Sequence, residues 1–152
     1  MAYTTADARQ KLLDTIAEAA EELAVALASL SEAYEQLDER NADRMEQELF
    51  RPVQMAYGRA KRTHAEFAER YRLPGRSFEP ATGGAPSRGV KGFLDSAVQA
   101  IGEADHTLAT LQDSMLPVEV GDVELRAGLE QVRELLGHLG ARAHDLVRTL
   151  GR

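Results

Sequence analysis

An all-α fold, an antiparallel up-down-up-down four-helix bundle with coiled-coil-like heptad packing, is what this sequence predicts, on three observations. First, four stretches each carry eight positions spaced alternately three and four residues apart, nearly all apolar. That spacing places one buried stripe along each helix. Second, the four stretches match in length, as bundle helices must. Third, a segment without large apolar residues at 38–44, a Pro/Gly-rich segment at 73–87 and Pro117 separate the stretches, as bundle corners would.

The first predicted helix spans 5–39, with the stripe Leu13, Ile16, Ala20, Leu23, Leu27, Leu30, Tyr34 and Leu37. Thr4 with Asp7 three residues on is a capping-box pattern at its start. Residues 38–44 hold no large apolar side chain, so the stripe stops there. A tight corner is favoured, with Asn41 capping the next helix. The rival is one continuous helix pairing across a swapped dimer.

The second predicted helix spans 42–72. Its stripe runs through Met45, Leu49, Val53, Ala56, Ala60, His64, Phe67 and Tyr71. Pro52 lies inside it, removes one backbone donor and should bend it. Residues 73–87 form a Pro/Gly-rich loop. It is longer than most bundle connections, and it joins antiparallel neighbours or crosses the bundle. The third helix spans 88–115, with Ser87 as a cap and Pro117 beyond its end. The fourth spans 122–150, capped by Asp122. The whole chain, 1–152, reads as a single domain.

With all neighbours antiparallel, counting from the corners places His64 in a layer with Ala20, Ala97 and Ala143. Three alanines leave space in a core that packs near crystal density. The simpler reading is that the imidazole fills that space. The alternative is a small-ligand site, with His64 as a polar handle among Ala20, Ala97 and Ala143, and with Tyr57 on the same helix.

Metal chemistry finds little support. The one Glu-x-x-His pair, Glu103 and His106, points away from the apolar face of its helix. His144 sits at the edge of the fourth stripe and could approach His64. Two histidines without a third ligand make a poor zinc site. The expectation is no metal and no cofactor, with His64 and His144 the residual candidates. His106, His138 and His144 are expected to face solvent.

Charge is unevenly spread. The chain carries −7 overall, yet residues 51–92 hold 9 basic and 3 acidic side chains. Pairing with the acidic first helix explains this most simply. An anion site built from Arg59, Arg62, Arg76, Arg88 and Lys91 is the weaker alternative, because Gly83 and Gly84 lead into a helix start. The Gly-Lys-Ser/Thr ending of a phosphate loop is missing. Nucleic acid is a poor match for the net charge.

No nucleophile motif is present, and acidic pairs fall on solvated faces where nothing would shift their pKa. There are no cysteines, no secretory leader pattern and no apolar run long enough to span a membrane. The sequence therefore predicts a cytoplasmic, non-enzymatic interaction or structural module. Its partner is a protein or a second copy, and a small molecule is the alternative. Phe50, Tyr57 and Phe93, off-centre on their stripes, are the candidate contact patch.

Overall fold

The computed structural model describes residues 5–82 and 89–150. Every secondary-structure element among them is helical: α1 Thr5–Gln36, α2 Glu39–Met45, a π-helical turn Glu46–Phe50, α3 Arg51–Arg70, α4 Gly89–Asp113, α5 Leu116–Val120 and α6 Val123–Leu150. The expected caps at Thr4 and Ser87 lie outside the described residues.

The first corner is tight. Leu37 closes α1, and Asp38, in an extended conformation, accepts the Asn41 N–H at 3.2 Å. Asp38, not Asn41, is the cap. The Asp38 carboxylate, three residues earlier, is placed for this because its oxygen reaches the N–H three positions on. Pro52 falls in the first turn of α3. The preceding turn widens to π geometry, with the Arg51 N–H reaching back five residues to Glu46 O. The turn before a proline is where the i−4 carbonyl would clash, so one widened turn relieves it.

α3 ends in a Schellman arrangement. Leu73 N–H donates to Ala68 O at 2.8 Å, and Arg72 adopts a left-handed φ of 53°. α4 ends at a second left-handed residue, Met115. Pro117 then opens the short α5, and Gly121 and Asp122 lead into α6.

Helix directions follow from the side chains that meet. Arg9 of α1 stacks on Tyr71 just past α3, so those helices are antiparallel. Arg70, Thr63 and Arg59 of α3 meet Asp122, Gly128 and Gln131 respectively, so α6 runs antiparallel to α3. Thr107 of α4 bonds Glu22 of α1, and the α5 corner turns α4 back into α6. The bundle is all-α as predicted, but its order is up, down, down, up. α3 and α4 run parallel on a diagonal. The segment after α3 climbs back along the bundle before α4 begins, and this reverses every layer counted through it.

The stripes form one continuous core. α1 buries a second row, Leu12, Ala19, Ala26 and Ala33. Glu22, which touches α4, shares that face, so the small row lines the α1–α4 seam. Ala100 and Ala104 sit on the matching face of α4. Small side chains on both sides bring two helices close. Phe93, expected in a surface patch, is fully buried. Two stripe ends, Tyr34 and Met115, are exposed.

Candidate functional site

His64 lies on the inward face of α3, only 2% exposed. Its neighbour Thr63 turns toward α6, where Gly128 leaves room for it. The imidazole turns instead toward the strap, residues 73–82. The Gly75 backbone rests on α3: a Cβ there would lie 3.5 Å from Ala68 Cβ and 3.8 Å from His64 Cε1. Phe78 meets the imidazole nearly at right angles, with ring centroids 5.1 Å apart. Between them Arg76 reaches across to Glu21 of α1 at 3.2 Å. Leu73 and Phe78 are half-buried against the core.

This environment is poor for a cation. Burial pushes the His64 pKa below its ordinary value, and the nearby Arg76 charge lowers it further. Asp14 on α1 acts in the opposite sense and does not prevail. No hydrogen bond joins the ring to another described residue. The space that the sequence assigned to alanines and a ligand is taken by the chain's own Gly75 and Phe78.

The four residues of the predicted layer do not converge. Ala20 is buried next to Glu21, at the level of the strap. Ala143 lies fifteen positions beyond Gly128, about 22 Å along α6 from the His64 level. Ala97 lies ten positions before Thr107, about 15 Å along α4 from the Glu22 contact. Both belong to the far end of the bundle. The physical reason is the reversed direction of α4 and α6. His144 is exposed and moves away with Ala143, so it does not meet His64. His106, His138 and Glu103 are exposed on outer faces. Among the described residues no group of three or more histidines or acids is placed to hold a metal ion.

Tyr57, by contrast, is brought toward His64. It lines a groove of about 650 Å³ between α1, α3 and the strap, together with Leu27, Lys61, Phe78 and Pro80. Phe78 thus forms a wall of the groove on one side and covers His64 on the other. The Lys61 ammonium sits 4.3 Å from the centre of the Tyr57 ring. Burial raises the pKa of the Tyr57 hydroxyl, so it stays a donor.

The basic residues of the middle segment do not form one site. Arg59 bonds Gln131 on α6, Arg76 pairs with Glu21 on α1, and Lys91 pairs with Asp95 within α4. Arg62 is exposed on α3, across the bundle diagonal from Lys91, and Arg88 lies outside the described residues. The pairing of Arg76 with an acid of α1 is the kind of contact the charge pattern suggested.

Two features escaped the sequence reading. The covering role of Phe78 had one signal, a lone aromatic in a Pro/Gly-rich segment. The close approach at Gly128 had another, a glycine on an otherwise strong helix. No family model, no curated protein and no solved structure matches this chain.

Proposed function

We propose that the protein is a non-enzymatic helical-bundle interaction module that self-associates. One observation carries the reading. Around the α5 corner, Met115, Val118 and Val123 are 52%, 46% and 74% exposed. Val118 and Val123 line a groove of about 380 Å³ together with Pro117, Ala127 and Leu129. Contiguous exposed apolar groups mark contact surfaces more often than isolated ones do. Arg126 and Glu130, one helical turn apart, both line this groove. In a two-fold contact each would face the other's counterpart, so the patch is self-complementary in charge. The reading takes the cytoplasm as its compartment. It is supported by the lack of cysteine and of any described helix long and apolar enough to cross a membrane.

Sedimentation velocity over a concentration series tests it. The native chain should show a concentration-dependent dimer, and Val123→Glu should remain monomeric. A native chain that stays monomeric throughout, or a Val123→Glu dimer of equal affinity, would overturn the reading.

A second reading has its own support. The strap groove combines apolar walls with Lys61, which has no carboxylate partner among the described residues, and with the Tyr57 hydroxyl. Glu32 also lines the groove, so the combination suits a small apolar molecule bearing a polar group that Lys61 and the Tyr57 hydroxyl can hold. Native mass spectrometry of the chain purified from its own host would detect such an adduct. Lys61→Ala and Tyr57→Ala should remove it.

A further inference from the structure

Residues 73–82 carry no helical or sheet hydrogen bonding, yet they are anchored at named points. One anchor is the left-handed Arg72 closing α3. Another is the Arg76–Glu21 ion pair. The third is a single imidazole: Phe78 rests against it, and Gly75 passes so near that a Cβ there would come within 3.8 Å of Cε1. A neutral imidazole suits this contact. An imidazolium carries two N–H donors and a charge, and at 2% exposure it stays poorly hydrated unless the strap moves.

We propose that residues 73–82 form an acid-released strap: protonation of His64 lifts Gly75 and Phe78 from the ring and opens the groove between α1 and α3. The groove it opens shares no lining residue with the self-association groove at the α5 corner. The device gives His64 a role as sensor, where the sequence offered only space-filling or ligand contact.

The charges around the ring set the direction. From the strap, Arg76 repels a protonated imidazole. From α1, Asp14 attracts it, while Glu21 is engaged by Arg76. On α3 itself, Lys61 one turn earlier carries like charge and is held against Tyr57. From α4 and α6, no described charged group acts on the ring. Burial and Arg76 together outweigh Asp14, so the closed strap holds fewer protons at His64 than the open one. Acid therefore favours opening. The closed form is fully favoured above the ordinary imidazole value of 6.5 and loses ground as pH falls below it.

Amide hydrogen exchange at pH 7.5 and 5.5, corrected for the intrinsic rate, tests this on the full chain. Protection of the strap amides should fall on acidification, by up to about tenfold at pH 5.5, one unit below the ordinary imidazole value of 6.5. In His64→Gln it should be the same at both pH values. A second readout does not depend on that variant folding. In Phe78→Ala, the His64 imidazole followed by NMR should titrate closer to 6.5 than in the native chain. Strap protection that is unchanged or increased by acid overturns the proposal; an increase would mean that Phe78 stabilises the imidazolium through its ring face. An equal acid response in His64→Gln, or an unchanged titration in Phe78→Ala, overturns it as well.

Discussion

Arg70 grips Asp122 through two nitrogens, Nη2 on Oδ1 at 2.7 Å and Nε on Oδ2 at 2.9 Å. The same carboxylate caps α6 by accepting the Leu125 N–H at 2.8 Å, and it accepts the Tyr71 hydroxyl at 2.9 Å. One buried side chain therefore closes the N-terminus of α6, the C-terminus of α3 and the root of the strap. Tyr71 in turn carries Arg9 of α1 over its ring.

Asp122→Ala should accordingly be among the most damaging single changes. It removes a cap worth about 1 kcal/mol. It also removes two of the three hydrogen bonds of a partly buried guanidinium, which keeps only Glu124 at 2.9 Å, and breaking such pairs costs about 3 kcal/mol before solvent screening. Because Arg70 is about a third exposed, a total near ~3 kcal/mol is expected from urea unfolding. A loss below ~1 kcal/mol would show that water replaces the carboxylate without penalty.

Asp122 also sets an acid limit. Burial alone would raise its pKa, but the hydrogen bonds from Arg70, the Leu125 N–H and Tyr71 outweigh burial and hold it below the ordinary value of 3.8. The folded state thus binds fewer protons there than the unfolded chain. The contribution is present in full above the unfolded value and is lost as pH falls through the folded one. In Asp122→Asn the stability-against-pH curve should be flatter below pH 4 than in the native chain. Parallel curves would place the acid sensitivity elsewhere.

The α3–α6 contact gives a non-additive prediction. A Cβ on Gly128 would meet Thr63 Oγ1 in overlap and lie 2.8 Å from Thr63 Cγ2. Gly128→Ala should therefore destabilise by about 1–3 kcal/mol, by overpacking. At Gly137 and Gly140, where the same Cβ meets nothing within 4 Å, alanine should instead stabilise by about 0.5–1 kcal/mol. Thr63 Oγ1 is buried without a hydrogen-bond partner. Thr63→Ala alone should then be nearly neutral, and it should rescue Gly128→Ala. If the double variant shows simple additivity, the two residues do not share the strain.

What was legible in the sequence was whatever depends on local period. The stripes from Leu13 to Leu30 and from Leu125 to Leu150 are buried or nearly so, and Asp122 caps α6 as read. What was not legible depends on a direction choice made once, between Tyr71 and Gly89. Periodicity is the same for a helix running up or down, so Leu94 or Leu129 is buried in either case. Ala97 and Ala143 lost their place beside His64 for that reason alone. The strap's contact with His64 was hidden differently: Phe78 belongs to no periodic pattern, and its packing is decided by tertiary geometry.

Arg72 offers a test of the strap's root. A non-glycine residue at φ 53° bears a steric penalty of about 1–2 kcal/mol, and glycine would relieve it while adding unfolded-chain freedom. Arg72→Gly should stabilise by about 0.5 kcal/mol in urea unfolding. A destabilisation would mean that the exposed arginine makes a contact that offsets its backbone strain.

His64 separates a space-filling residue from a hydrogen-bonded one. The buried ring gains no hydrogen bond from the described residues and loses hydration, so replacing it with an apolar side chain of similar volume removes a desolvation penalty. His64→Leu should be neutral or stabilising at pH 7.5. Its advantage over the native chain should grow as pH falls below 6.5, because the native imidazole must then be buried against its tendency to protonate. Urea unfolding of both proteins at pH 7.5 and 5.5 measures this directly. A loss of more than ~2 kcal/mol at pH 7.5 would contradict it. That magnitude is the signature of a broken buried network, with bridging water between the ring and the strap backbone as the missing partner.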